Sequence, residues 1–129
     1  MVKEGPVHRS RLTQILIDCN EAAYEGGVAF WSAALGLEPV EDDERYTTLE
    51  GGGGPQVMLQ RVTGESVYHV DIETDDVEAE AARLEKLGAV RKYKIRTWWV
   101  MRAPSGHDFC VIRAQSPRFP DADAKTWDD

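Results

Sequence analysis

Hydrophobic positions follow an alternating pattern in several short stretches of the chain and a helical spacing in two others. The first alternating stretch, RLTQILIDC at 11–19, is rich in Leu and Ile and predicts a strand. A helix should begin at Asn20, whose side-chain oxygen can cap it, because apolar residues from Val28 to Leu35 recur at helical spacing. Gly36 should end this helix, since glycine tolerates the left-handed conformation of a helix end.

The same order of elements recurs in the second half of the chain. An alternating strand, VYHVDIET at 67–74, precedes a helix in which Asp75 and Glu78 form a D-x-x-E capping box and which Gly88 should end. Short strands are predicted after each helix, at 46–50 and 56–62 in the first half and at 93–101 and 107–113 in the second. This repeat of roughly 55 residues predicts an α+β fold of two tandem βαβββ modules.

The two modules, about 11–62 and 67–113, would each leave one face of their strands bare. We therefore expect a single domain in which both modules form a curved mixed sheet around a cleft, followed by a tail at 114–129. The glycine-rich GGGGP at 51–55 should be a hairpin turn, because a strand follows it and not the helix of a phosphate-binding loop. Uncovered strand edges favour a symmetric partner, so a homodimer is expected.

Charge and composition exclude several classes of protein. The net charge of −8 disfavours a nucleic-acid partner. The sequence has no apolar run long enough to span a membrane, and its polar start lacks the apolar segment of a secretory signal, so a cytoplasmic protein is expected. Cys19 and Cys110 lie in apolar stretches without metal-binding spacing, and we expect both to be reduced.

Candidate chemistry lies on the strand at 67–74. Alternation places His69, Asp71 and Glu73 on one face and Val70 and Ile72 on the other. An imidazole beside two carboxylates can perform acid–base catalysis or hold a metal ion. The same group is equally compatible with a structural role, in which the histidine is hydrogen-bonded to a neighbouring carboxylate. Both interpretations stay open at this point.

Large side chains suggest an apolar wall for a ligand site. Trp98 and Trp99 are adjacent on one predicted strand, so they face opposite sides. One of them should pack in the core and the other should face the cleft or a dimer interface. We assign Trp99 to the cleft wall with Met58, which shares a strand face with Gln60, but alternation alone leaves open which of the two tryptophans faces the cleft. The alternative is that both tryptophans only pack in the core.

Four segments carry a resemblance to a known family: RLTQILIDCN, VAFWSAALGLEP, YHVDIETDDVEAEAARLEKLGA and APSGHDFCVI. In this order they resemble the vicinal oxygen chelate superfamily, and within it the glyoxalase-like domain branch, from about Arg11 to Ile112. The resemblance implies paired βαβββ modules around a cleft. Members of the superfamily include glyoxalases, extradiol dioxygenases, epimerases, fosfomycin-resistance enzymes and bleomycin-binding proteins.

The resemblance also implies four metal-ligand positions, on the first and last strand of each module. In this sequence they fall on Thr13, Gln60, His69 and Cys110, and only His69 matches the pattern of the metal enzymes. Thr and Gln are weak ligands for a divalent ion. We therefore expect no cofactor and no tightly bound metal; a divalent metal, if present, would use His69 and Gln60.

The function predicted from the sequence is that of a small-molecule-binding protein with a degenerate metal site. It would bind a small, partly apolar metabolite or act on it by acid–base chemistry. The expected catalytic residues are His69, Asp71 and Glu73, and the expected ligand contacts are Gln60, Met58, Trp99, Thr13 and Cys110. One alternative is a divalent-metal-dependent lyase, isomerase or dioxygenase; another is a non-catalytic interaction domain. If the chain is an enzyme, the resemblance favours a lyase or isomerase of the glyoxalase type.

Overall fold

The computed structural model describes residues 6–115, 119 and 123–129. In this part of the chain, parallel and antiparallel strand pairs combine with two α-helices, which confirms the predicted α+β class. The elements are β1 (Val7–Asn20), α1 (Tyr24–Leu35), β2 (Glu38–Glu41), β3 (Tyr46–Glu50), β4 (Gln56–Val62), β5 (Val67–Thr74), α2 (Val77–Lys86), β6 (Val90–Ile95), β7 (Trp98–Arg102), β8 (Asp108–Arg113) and β9 (Lys125–Asp128).

The chain divides into two compact units, which we describe separately. Unit 1 comprises residues 1–12 and 71–129, and unit 2 comprises residues 13–70. Each unit holds one α-helix and part of both β1 and β5. The units therefore differ from the two sequence modules, because the first residues of β1 belong with the second module.

Unit 2 contains four adjacent strands in the order β2-β3-β4-β1, and α1 packs on one of their faces. The β1–β4 pair is parallel, as a strand–helix–strand connection allows, and the other pairs are antiparallel. Gly27 lets α1 approach β1 closely, because a Cβ atom there would lie 3.0 Å from the Cys19 sulfur. The core beneath the helix consists of Ile17, Cys19, Tyr24, Leu49 and Leu59.

The start of α1 differs from the prediction, whereas its end is confirmed. Asn20 accepts a hydrogen bond from the Ala22 N–H, and a short 3₁₀ turn at Glu21–Ala23 separates this cap from the α-helix. The side-chain bond reaches only two residues ahead, which produces a tighter turn than an α-helical cap. At the other end, Gly36 has a φ of 67° and donates its N–H to Ser32.

Unit 1 contains four strands in the order β5-β8-β7-β6, with β5–β8 parallel and the other pairs antiparallel. The cap of α2 is Asp76, which accepts from the Ala79 N–H at 3.0 Å, and not Asp75 as the capping-box pattern predicted. Asp75 instead accepts hydrogen bonds from the backbone N–H and the Nε of Arg9. Arg9, which is distant in sequence, thus binds the Asp75 carboxylate that the local D-x-x-E spacing had assigned to the cap of the helix.

The strands differ from the prediction at three places. The segment 93–101 forms parts of two strands, β6 and β7, because the chain turns at Arg96, whose φ is 53°. Arginine carries no turn signal, so the pattern concealed this break. The strand β2 is exposed and lacks alternation, and the sequence did not indicate it. The predicted tail contains β9, which pairs antiparallel with β1 from Val7↔Asp128 to Ser10↔Lys125.

Other local predictions are confirmed. The segment 51–55 connects the antiparallel strands β3 and β4 as a hairpin turn. Both Cys19 and Cys110 lie in the described part of the chain, and no disulfide joins them. Neither described α-helix has the length and apolar character needed to cross a membrane.

Candidate functional site

One face of the strands in unit 2 brings the polar candidates together. In the β1–β4 register, Asp18 lies opposite Gln60 and Leu16 lies opposite Met58, so these four side chains share a face. His69 belongs to the same face, because its Nδ1 lies 2.6 Å from Oδ2 of Asp18. The predicted grouping of His69, Met58 and Gln60 on one face therefore holds within unit 2.

Asp18 orients the His69 ring. A carboxylate bound to Nδ1 favours the tautomer with its proton on that nitrogen, and the lone pair then lies on Nε2. Asp18 is buried, and its second oxygen, Oδ1, has no hydrogen-bond partner among the residues that the structure describes. The sequence analysis missed Asp18, because its partner lies 51 residues away along the chain. A lone carboxylate within the apolar run ILIDC at 15–19 was the signal that could have found it.

Unit 1 contributes a second set of polar groups. Asp71 is buried and lies opposite Cys110 in the β5–β8 register. His69 precedes Asp71 by two residues on β5, so the alternation of the strand points both side chains to the same side. An imidazole and a carboxylate therefore follow one another along a strand face, and a thiol lies across from the carboxylate.

Glu73 differs from the other predicted catalytic residues, because structural contacts occupy its carboxylate. Its side chain is 1% exposed, and Oε1 accepts a hydrogen bond from Nε of Arg11 at 2.8 Å. The other oxygen accepts the N–H of Gln115 at 3.3 Å. Glu73 thus ties the first strand and the segment after β8 to β5. A buried carboxylate with a charged partner is a structural element of unit 1.

Trp99, which was predicted to line the ligand site together with Cys110, lies on the opposite face of the β7–β8 pair from Cys110. Its indole N–H donates to Oε2 of Glu78 on α2 at 2.6 Å, and the Arg91 guanidinium lies 5.0 Å from the ring centre. Hydrogen bonds from Trp99 and Arg91 lower the pKa of Glu78 to about 2. Trp99 therefore packs on the helix side of β7.

Trp98 takes the opposite side of that strand. Val100 lies across from Cys110 in the β7–β8 register. Trp98 precedes Val100 by two residues on β7, so both side chains lie on the same face as Cys110. Adjacent side chains on a strand point to opposite faces, but the sequence does not show which of the two faces the helix. The strand register settles this point within unit 1.

The two units repeat one strand pairing. In unit 2, Asp18 pairs with Gln60 across β1 and β4, and in unit 1, Asp71 pairs with Cys110 across β5 and β8. Both pairs are parallel and join the first and last strand of their module, so they occupy corresponding positions. Each unit thus places a buried carboxylate at the same point of its repeat.

This correspondence changes the first ligand position that the family resemblance implied. His69 lies two residues before the carboxylate of its own pair, and two residues before Asp18 comes Leu16. Thr13 lies outside the β1–β4 register, which begins at Gln14. Thr13 precedes the cap Asn20 by seven residues, as His69 precedes the cap Asp76, but a 3₁₀ turn separates Asn20 from α1 whereas α2 follows Asp76 directly. Equal distances from the two caps therefore do not give equivalent positions. The position that corresponds to His69 holds an apolar side chain.

Comparison with known proteins identifies the family. The model of the glyoxalase-like domain matches residues 14–112. The chain belongs to the glyoxalase-like domain family. This glyoxalase-like domain thereby falls within the vicinal oxygen chelate superfamily, as the sequence motifs predicted. None of the curated proteins matches its sequence.

Solved structures share the fold of this glyoxalase-like domain. The Mn(II)-bound glyoxalase from Novosphingobium aromaticivorans is 22% identical, with a TM-score of 0.55, over 86% of this chain and 44% of its own. Homoprotocatechuate 2,3-dioxygenase from Arthrobacter globiformis is 17% identical, with a TM-score of 0.55, over 82% and 36%. A protein described as NAD-dependent benzaldehyde dehydrogenase from Legionella pneumophila is 10% identical, with a TM-score of 0.61, over 85% and 100%. The match spans less than half of the first two chains, and these likenesses concern the fold alone.

Proposed function

We propose that this glyoxalase-like domain binds a small, partly apolar metabolite at the face of His69 and acts on it by acid–base chemistry. The observation that carries the proposal is the 2.6 Å contact between Nδ1 of His69 and Oδ2 of Asp18. A carboxylate that holds one ring nitrogen orients the other nitrogen towards a ligand and stabilises the imidazolium. Both side chains are largely buried, so water screens their interaction little.

In this proposal His69 is the base. Its Nε2 takes a proton from the ligand, the ring becomes an imidazolium ion, and Asp18 stabilises the positive charge through Nδ1–H. The same nitrogen returns the proton to the product. The second oxygen of Asp18 supports the presence of a polar ligand, because a buried carboxylate oxygen favours a hydrogen-bond donor. Met58, on the face of Gln60, would supply apolar contact.

The test compares His69→Ala with His107→Ala. His107 is an exposed histidine hydrogen-bonded to Ser105, so it controls for the loss of an imidazole elsewhere. A panel of small carbonyl and hydroxy compounds is screened by tryptophan fluorescence, and the affinity of each compound that binds is measured with the melting temperature. We expect His69→Ala to weaken binding by about tenfold or more while the fold is retained. Reduced stability with unchanged affinity would contradict the proposal.

A second candidate function is that of a divalent-metal-dependent lyase, isomerase or dioxygenase. It is favoured by the sequence of donors on β5, where His69 and Asp71 follow one another, and by Cys110 opposite Asp71. Imidazole, carboxylate and thiolate suit zinc. The first half offers Leu16 and the neutral amide of Gln60 at the matching positions, so a hard ion such as Mn(II) would be held poorly. Bound zinc would polarise an oxygen atom of the ligand.

Elemental analysis of the purified protein separates the two candidates. The acid–base proposal predicts no stoichiometric metal. A metal enzyme should hold about one zinc ion per chain in the wild type and in Cys19→Ser, and much less in Cys110→Ser. Cys19 is the matched control, because it lies in the core beneath α1. Stoichiometric zinc that depends on Cys110 would favour the metal enzyme.

A further inference from the structure

Unit 2 contains a groove on the side of its strands opposite to His69. It has a volume of about 500 Å³ and lies between α1 and the first residues of β5. Cys19 and Tyr68, which line it, alternate with Asp18 and His69 along their strands, so their side chains point to the helix side. A volume of several hundred Å³ is typical of small-molecule sites.

Three aromatic rings form one wall of this groove. Trp31 contacts Phe30 edge-to-face with ring centres 5.1 Å apart, and it contacts Tyr68 in the same manner at 6.5 Å. Phe30 is 61% exposed and Tyr68 is 66% exposed. Both side chains are large, and each presents an apolar ring to the solvent. Clustered exposed aromatic side chains are typical of binding surfaces, because their burial would be favourable.

Gly26 keeps the groove open. It lies inside α1 and lines the groove, and a Cβ atom at this position would meet no other atom within 4 Å. Glycine destabilises a helix relative to alanine. At Gly27 the close approach of Cys19 accounts for the glycine, but no packing contact does so at Gly26. A side chain at position 26 would therefore project into the open space of the groove without displacing any described atom.

Unit 1 places a ring of its own chain beside its helix α2. There β9 pairs with the first residues of β1, and the indole of Trp127 donates its N–H to Ser10 at 2.9 Å. The ring centre lies 3.8 Å from the guanidinium of Arg83 on α2. When the helices are aligned on their Leu-Gly ends, Arg83 corresponds to Trp31 of α1. In unit 1 the ring beside this helix position belongs to β9, whereas in unit 2 it belongs to Tyr68, which is 66% exposed and leaves much of the aromatic surface accessible.

We propose that the groove of unit 2 is a second binding site, for a neutral, planar, apolar ring compound. The rings of Phe30, Trp31 and Tyr68 would contact the faces and edges of such a compound. Ser66 and Tyr68 offer hydroxyl groups for one polar substituent. Asp18 is the one charged residue among the described lining residues, and its carboxylate points to the opposite face, towards His69, so the groove presents no charged side chain that would offset the desolvation of an anion.

The test uses 2-naphthol as the probe, with its binding measured by calorimetry. Gly26→Ala adds a methyl group to the groove and favours the helix, so we expect an affinity about tenfold lower and a melting temperature equal to or above that of the wild type. Gly53→Ala is the matched control, because a Cβ atom there also meets nothing within 4 Å but lies in the hairpin turn. Unchanged affinity in Gly26→Ala would overturn the proposal.

Two further measurements distinguish binding in this groove from binding at the acid–base site and from dimerisation. His69→Ala should leave the affinity for 2-naphthol unchanged, and 2-naphthalenesulfonate should bind more weakly than 2-naphthol. Loss of 2-naphthol binding in His69→Ala would place the probe at the acid–base site and overturn the proposal. A light-scattering mass of two chains that falls to one chain in Phe30→Ser would also overturn it, because a second copy would then cover the groove.

Discussion

The helices α1 and α2 occupy the same place in the repeat, but they bury their strands by different means. In unit 1, Glu80 of α2 is fully buried and lies 2.7 Å from Nε2 of His8 and 2.8 Å from Nε of Arg83. In unit 2, the corresponding residue of α1 is Val28, which packs against an apolar core. The same position between helix and strands is thus occupied by a charged network in unit 1 and by apolar packing in unit 2. The network requires particular partners, whereas apolar packing does not.

The network in unit 1 is closed at both nitrogens of His8. Nδ1 contacts the carboxylate of Asp129, next to β9, and Nε2 contacts Glu80. Burial lowers the pKa of His8, but hydrogen bonds to Glu80 and Asp129 outweigh it, and the pKa is raised above 6.5. Burial raises the pKa of Glu80, but hydrogen bonds from Arg83 and His8 outweigh it, and the pKa is lowered. The ionised forms of both groups are therefore stabilised.

The largest expected effect follows from removing the carboxylate at the centre of the network. Glu80→Ala would leave His8 and Arg83 without this partner, and we expect it to lower the free energy of unfolding by about 3–5 kcal/mol. Val28→Ala, at the corresponding position of α1, should cost only about 1 kcal/mol, because that side chain is partly buried. Urea unfolding of both variants measures the difference. Equal losses would show that the network adds nothing beyond packing.

A smaller effect is expected for Trp127, whose ring lies beside α2 in unit 1. Trp127→Ala removes the contact with Arg83 and the hydrogen bond to Ser10, and it should lower stability by about 2 kcal/mol. Tyr68→Ala, in the open groove of unit 2, should change stability by less than about 0.5 kcal/mol, because Tyr68 is mostly exposed. Thermal unfolding of the two variants compares them. If both changes cost the same, β9 does not depend on its tryptophan.

The smallest expected effect concerns pH. Because the pKa of His8 is raised in the folded chain, its stabilising effect is complete below the unfolded value of about 6.5 and is lost as the pH rises through the folded pKa. The melting temperature of the wild type should therefore fall as the pH rises above about 6.5. In His8→Gln this part of the pH dependence should disappear, whatever the absolute stability of the variant. A slope unchanged by the substitution would assign the effect to another group.

Local patterns predicted most of the fold, because they depend on neighbouring residues. Alternation gave the strands at 46–50, 56–62 and 67–74 without error, and Gly36 ended its helix as expected. The turn at Arg96 was not predicted, because the strand pattern of the sequence continues through it. The strand β9 was not predicted either, because it pairs with residues 7–10 of β1, which lie at the other end of the described chain.

The candidate site was predicted only in part, for a related reason. Residue types and alternation gave His69 and Asp71, but the partner of His69, Asp18, depends on which strands meet. The face of Trp99 likewise depends on the register between strands, which alternation leaves undetermined. The pattern places residues along a strand; tertiary contacts decide what each of them meets. The predicted homodimer stays a prediction.

The pairing of β9 with β1 has a consequence for the order in which the chain folds. Unit 2 is one continuous segment, so its internal contacts require no residue outside 13–70. Unit 1 joins segments far apart in sequence; His8 and Asp129 are separated by 121 positions. Closing such a long loop is entropically costly and slow. The contact of His8 with Glu80 closes a shorter loop than its contact with Asp129, so the two halves of this network can form at different stages of folding.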